Sequence, residues 1–228
     1  SSVNTAALSN GNLQVNATSN QVQMAKVNFL LTGKTYWEVI PLSVGFQVFG
    51  LGEEFYDGQS GLSNGAGGAK DGLNVYVNEG TEYTSFRTGG SITNSNISSN
   101  TVIDAKDVIA FAYDADTGKI WFAKDNIWYG SGDPAGGNNP VATFPAASRG
   151  GMMPAGTDYS TSAGFVWNFG QDSSFGGIKT PQGNADGAGI GDFFFEPPTG
   201  FKAVCTKNLP DPAITSPEEH FNIVLYTG

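Results

Sequence analysis

From Val22 onward, apolar positions recur every second residue in short runs, the period that sends successive side chains to opposite faces of a β-strand. Val22, Met24, Val27 and Phe29 alternate with polar neighbours, broken once at Ala25-Lys26. Thr35-Tyr-Trp-Glu-Val-Ile40 is β-branched and aromatic and is closed by Pro41, a strand with its stop. Ser43-Val-Gly-Phe-Gln-Val-Phe49 predicts the next, with Val44, Phe46 and Val48 on one face. Leu73 to Val77 and Tyr83 to Arg87 return to the same period. Asp107-Val-Ile-Ala-Phe-Ala-Tyr113 and Lys119-Ile-Trp-Phe-Ala-Lys124 flank Asp114-Ala-Asp-Thr-Gly118, the signal of a β-hairpin. Asp125-Asn126 then turns the chain into Ile127-Trp-Tyr129, and Val141 to Phe144, Met152 to Ala155 and Gly164 to Phe169 are short strands.

The stretches between are of another kind. Residues 57–72, 88–101, 130–140 and 170–192 are rich in Gly, Ser, Asn and Asp, with too little side chain to pack a core, and read as loops. The tail holds an apolar Ala203-Val-Cys205, read as a strand with Cys205 buried as a small hydrophobe. Neither an amphipathic helix nor an internal repeat is visible. Faces built by period-two alternation need a second sheet to cover them, and about ten to fourteen short strands suit an all-β, two-sheet antiparallel sandwich. The division expected is an extended lead-in over 1–21, the sandwich over 22–209 and a C-terminal extension over 210–228.

Composition narrows the chemistry. The chain has 228 residues, of which 32 are Gly and 14% are charged, far from the Ala/Leu/Glu/Lys mix of helical proteins. One cysteine, Cys205, rules out an internal disulfide framework and a multi-cysteine zinc site. One histidine, His220, leaves little room for the usual histidine-based catalytic or metal constellations, so no cofactor and no metal are expected. The formal charge is −10, which gives solubility and offers phosphate backbones no basic surface, so nucleic acid is not an expected partner. No apolar run reaches the ~18 residues of a membrane span, and membrane insertion is not expected. The start lacks Met and a leader pattern and reads as processed or excised. Tyr226-Thr-Gly228 reads as a cut rather than a natural end.

Six pieces in order resemble the SPRY domain, a concanavalin-A-like jelly roll. They are Gly33-Lys-Thr-Tyr-Trp-Glu-Val39, Val44-Gly-Phe46, the hairpin from Asp107 to Asn126, Met153-Pro-Ala155, Val166-Trp-Asn-Phe-Gly170 and Pro198-Thr-Gly-Phe201. The resemblance covers roughly residues 25–205. It departs at Ala110 and Ile127, where the family usually has Gly. The tail from Gly200 to Gly228 and the insert from Trp128 to Pro140 are similar to SPRY modules in large bacteriophage tail and virion proteins. The resemblance implies a jelly-roll sandwich that is not an enzyme and binds through its loops.

Candidate sites weigh unevenly. Gly61-Leu-Ser-Asn-Gly65 matches a nucleophile elbow but lies in a glycine-rich loop with no strand-to-helix frame. Asp114, Asp116 and Asp125 fall at positions of a calcium loop, yet the turn-forming role of Asp explains them better. Glu79 and Glu82 sit beside Gly80 without the alternating acids of a sandwich glycosidase. Asn16-Ala-Thr18 and Asn96-Ile-Ser98 are glycosylation sequons of a kind that Asn/Ser-rich chains produce by chance. Aromatics beside loops are the interesting class, because sugar C–H faces and peptide anchors both settle on such rings. Phe55, Tyr56, Tyr83, Trp128, Tyr129 and Tyr159, with Arg87 beside Tyr83, are the candidate ligand-binding residues, each weighed against simple packing under its own loop.

The function expected is a binding module of a phage tail or virion surface, contacting host protein or glycan. A structural virion domain touching neighbouring viral subunits is the alternative, and a polysaccharide-acting enzyme the third option. The location expected is the virion, at the tail or outer surface, and otherwise the extracellular space.

Overall fold

The computed structural model describes residues 7–16, 18, 23–45, 47–53, 72–77, 83–88, 91–96, 102–147, 151–158 and 164–208. They form an all-β, two-sheet antiparallel sandwich. One sheet contains β1 (Ala7–Ser9), β2 (Gln14–Asn16), β4 (Lys34–Pro41), β9 (Ile109–Asp114), β10 (Lys119–Lys124), β11 (Ile127–Trp128), β12 (Ala142–Thr143), β14 (Gly164–Asn168) and β15 (Lys202–Ala203). The other contains β3 (Gln23–Lys26), β5 (Gln47–Glu53), β6 (Gly72–Val77), β7 (Tyr83–Thr88), β8 (Ser91–Asn96) and β13 (Met152–Asp158). The main path of the first runs β1-β2-β14-β4-β9-β10-β11, with β12 on β10 and β15 parallel to the start of β4. The second runs β3-β13-β5-β6-β7-β8. The chain changes sheet after β2, β3, β4, β8, β12 and β13, the winding of a jelly roll.

Two apolar layers hold this together. Between the sheets lie Trp37 and Val39 of β4, Phe111 and Tyr113 of β9, Phe49 and Leu51 of β5, and Phe165 and Trp167 of β14. Trp37 stacks on Phe111 at 5.2 Å between ring centres. The outer face of the first sheet is covered as well, by residues 170–208 laid across it. There Tyr36, Trp121, Phe193 and Phe201 pack over Ala110, Ala112, Ala123 and Ala203. That second layer explains the unbroken apolar run of β9: large side chains face the inter-sheet core and small alanines leave room for the rings outside. Ala110, where the resembling family has Gly, fits there with its methyl buried.

Several expectations need correction. The strand expected over 43–49 begins at Gln47 and continues to Glu53, because the chain leaves the first sheet after Pro41 and bends over 42–45 toward the second. Its inward face is Phe49 and Leu51, opposite in phase to the expected Val44, Phe46 and Val48. Val44 is exposed on the crossover, and Phe46 lies outside the described residues. β8 forms within the polar stretch expected to be loop, since pairing with β7 outweighs the weak propensity of its Ser and Asn. The expected extended lead-in contributes the β1–β2 hairpin, and Val15 seals the core beside Phe165. Cys205 lies just past β15 and is partly exposed rather than buried in a strand.

Candidate functional site

A groove of about 1030 Å³ opens where residues 27–33 pass from one sheet to the other, opposite residues 200–208. Its first wall is held to β13, the Val27 N–H donating to Pro154 O at 3.2 Å and the Leu31 N–H to Met152 O at 3.0 Å. Gly33, at φ +61°, then turns the chain into β4. The second wall begins with a tight turn in which the Phe201 N–H donates to Pro198 O at 2.9 Å. Gly200 supplies the positive φ of +87° that such a turn requires. This places Phe201 against Trp121 and Lys202 beside Thr35.

Asp186 fixes that wall. Its Oδ1 accepts from the Ala188 and Ile190 N–H groups, and its Oδ2 from the Ala203 N–H at 3.0 Å and the Asn208 amide at 2.9 Å. Burial raises this carboxyl, but the N–H groups of Ala203 and Ile190 and the other donors outweigh it and hold the group below the ordinary carboxylate range. Nearby, Glu38 ties the covering segment to the sheet. It is fully buried and accepts from the Tyr36 hydroxyl, the Asn168 amide and the Phe194 and Phe195 N–H groups, all within 3.1 Å. Burial pushes the Glu38 carboxyl above its usual value despite those donors, and burial with the Glu38 charge drives the Tyr36 hydroxyl well up. Both carboxylates are occupied in holding the fold.

The groove itself is mixed in character. Leu31, Thr35 and Ala203 are buried within it, and Val204 and Cys205 add apolar surface. Phe29 and Leu30 stand 38% and 41% exposed, with the Phe29 ring edge-on to Phe169 at 6.3 Å. Thr35 is only 8% exposed, and its Oγ1 has no hydrogen-bond partner. Lys34, Lys202 and Lys207 line the groove together with one acid, Asp116. The Lys34 ammonium lies 5.6 Å from the centre of the Phe201 ring.

Of the aromatic and basic residues expected from the sequence, the four that are described, Tyr83, Arg87, Trp128 and Tyr129, do not line this groove. Tyr83 and Arg87 lie on β7 of the six-stranded sheet, whereas Trp128 and Tyr129 follow β10 at the margin of the other. Trp128 is half-buried against the outer layer, and Tyr129 stacks on Phe122 at 5.0 Å. Phe55, Tyr56 and Tyr159 lie outside the described residues, as do Gly61 to Gly65, Glu79, Glu82 and His220. The insert after Tyr129 is clipped to its own sheet, Trp121 Nε1 donating to Asn138 O at 2.7 Å and Lys119 Nζ to Gly137 O at 2.8 Å. Asp114 acts as a turn former, its Oδ1 accepting from the Asp116 and Thr117 N–H groups. Among the described residues, no group of three or more His, Cys, Asp or Glu is placed to hold a metal ion, and no helix is long and apolar enough to cross a membrane.

The groove residues missed from sequence left a faint signal. Phe29-Leu-Leu31 interrupts the period-two pattern just before Thr32-Gly33, and three of only 11 basic residues converge on one opening.

No protein-family model matches the chain, and no curated protein does. Among solved structures it is similar to the TRIM65 PSpry domain, at 13% identity over 71% of this chain and 84% of that one, with a TM-score of 0.49. It is similar too to the SPRY domain of human HERC1, at 12% identity, covering 71% of this chain and 91% of that one with a TM-score of 0.48. Stonustoxin is a third, at 15% identity and a TM-score of 0.48, with 71% of this chain matched to 26% of stonustoxin.

Proposed function

We propose that the chain is a non-enzymatic recognition module that holds a macromolecular partner at one end of a rigid sandwich. The observation that carries this reading is the groove. The described core is covered between the sheets and on the outer face of the larger sheet, yet here Phe29 and Leu30 stay exposed in a groove that Lys34, Lys202 and Lys207 also line. Exposed apolar surface rimmed by charge is the usual character of an interaction site. The SPRY resemblance read from the sequence supports the same class of function.

The setting proposed is a phage tail or virion surface, with a host-surface protein or glycan as partner. It rests on the likeness of the insert over 128–140 and the tail from Gly200 to phage SPRY modules. The test is binding of the labelled full chain to candidate host cells and to a glycan array. Saturable binding above an unrelated sandwich protein supports the reading; signal no higher than that control in both formats overturns it.

A further inference from the structure

We propose that the groove between residues 27–35 and 200–208 takes an acidic polypeptide segment, in which an apolar side chain sits next to the carboxylates. This rests on the recognition reading above and names the chemistry of its partner.

Charge points to a partner rich in carboxylates. The whole chain carries −10, yet the groove gathers Lys34, Lys202 and Lys207 against the single Asp116. A local positive field on an acidic molecule attracts carboxylates and keeps out strongly basic partners. Three lysines are too few to hold a phosphate backbone against the repulsion of the remaining surface. The same −10 makes a second copy of this chain a poor occupant.

The lining points to an apolar side chain next to them. Leu30, Leu31, Val204 and Cys205 are aliphatic or soft, and they outnumber the one aromatic of the lining, Phe29. Sugar recognition prefers an open aromatic face, whereas aliphatic walls suit Leu, Ile or Phe side chains. The groove's size, near the top of the range of ~300–1,000 Å³ for small-ligand pockets, accommodates several residues of extended chain.

The experiment is selection of a displayed random-peptide library on the full chain, followed by fluorescence anisotropy with the enriched peptides. The expected consensus places Asp or Glu beside Leu, Ile or Phe. Binding is expected to weaken from about 50 to about 500 mM salt, as for a contact dependent on exposed charge. Lys202→Glu with Lys207→Glu is expected to lose about tenfold or more in affinity, since each lysine turns from attraction to repulsion. Lys106→Glu, exposed and outside the groove lining, is compared with Lys202→Glu and Lys207→Glu singly, at equal net charge, and is expected to change little. Circular dichroism and the melting temperature check that each variant folds.

An enriched consensus without acids, or affinity indifferent to the Lys202/Lys207 variant, overturns the proposal. So does a dimer abolished by that variant, which would make a second copy the occupant. Tighter peptide binding in Glu218→Lys with Glu219→Lys would assign the groove to the chain's own C-terminal residues and overturn it equally. Host-cell binding that survives the Lys202/Lys207 change overturns the groove assignment and leaves the recognition reading standing. Loss of an anionic-glycan signal in that variant, without any peptide binding, replaces the polypeptide with a sugar.

Discussion

Glu38 and Asp186 are both buried carboxylates with several donors, yet their titrations point in opposite directions. Glu38 has its folded value raised, so its favourable contribution is fully present below the ordinary 4.5 and is lost as pH rises through the higher folded value. Asp186 has its folded value lowered, so its contribution is present above the ordinary 3.8 and is lost as pH falls through the lower folded value. Glu38→Gln is predicted to cost about 1–3 kcal/mol by setting an amide donor against a backbone N–H, with the cost largest in acid and shrinking as pH rises. Asp186→Asn is predicted to cost a similar ~1–3 kcal/mol, with the opposite slope. Urea unfolding of the three proteins between acid and neutral pH checks both; parallel curves would contradict the assignment. At the hairpin tip, Asp125 and Asn126 take φ of +46° and +65°, so the turn needs Asn126 itself in the left-handed region. That is how Ile127, 78% exposed, stands where the resembling family has Gly: the positive φ falls before it. Asn126→Val is predicted to lower stability by about 1–2 kcal/mol, read from the same unfolding curves, whereas Asn126→Gly is tolerated.

At the level of elements, the two sheets fit where β13 offers a glycine. A Cβ on Gly156 would lie 2.7 Å from Phe165 Cζ and 3.1 Å from Trp167 Cζ2. Gly156→Ala is predicted to destabilise by about 1–3 kcal/mol through overpacking, seen as a lower melting temperature. Such elements were unequally legible from sequence. The β9–β10 hairpin is plain because β9 carries large side chains at alternate positions, β10 is a short apolar run, and Asp114 and Gly118 close the loop. The phase of β5 is not, because Val48 and Phe49 are both fully buried and alternation alone cannot say which faces the other sheet. Residues 170–192 read as loop and are irregular, but their role as a cover over the outer face depends on Glu38 reaching Phe194 and Phe195, contacts more than 150 positions apart. β8 was missed because its stability lies in its partner strand rather than its own residues.

At the scale of the whole molecule, composition bounded the class of function while the site came from convergence. Lys34 and Lys202 are far apart in sequence and become neighbours only because β15 pairs in parallel with the start of β4. No local pattern announces that meeting, whereas aromatics beside loops stand out in the sequence itself. In the described residues, Trp128 and Tyr129 are instead partly covered by their own surroundings. Among the described residues, a sandwich covered between its sheets and on the outer face of the larger one leaves open a groove whose basic residues oppose the net charge of the chain. The most direct test is a backbone-amide NMR titration of the full chain with the tightest peptide from the selection. The account predicts shift changes confined to residues 27–35 and 200–208, reaching Asp116. Changes centred on residues 57–72 or 130–140, with those two walls unmoved, would contradict it.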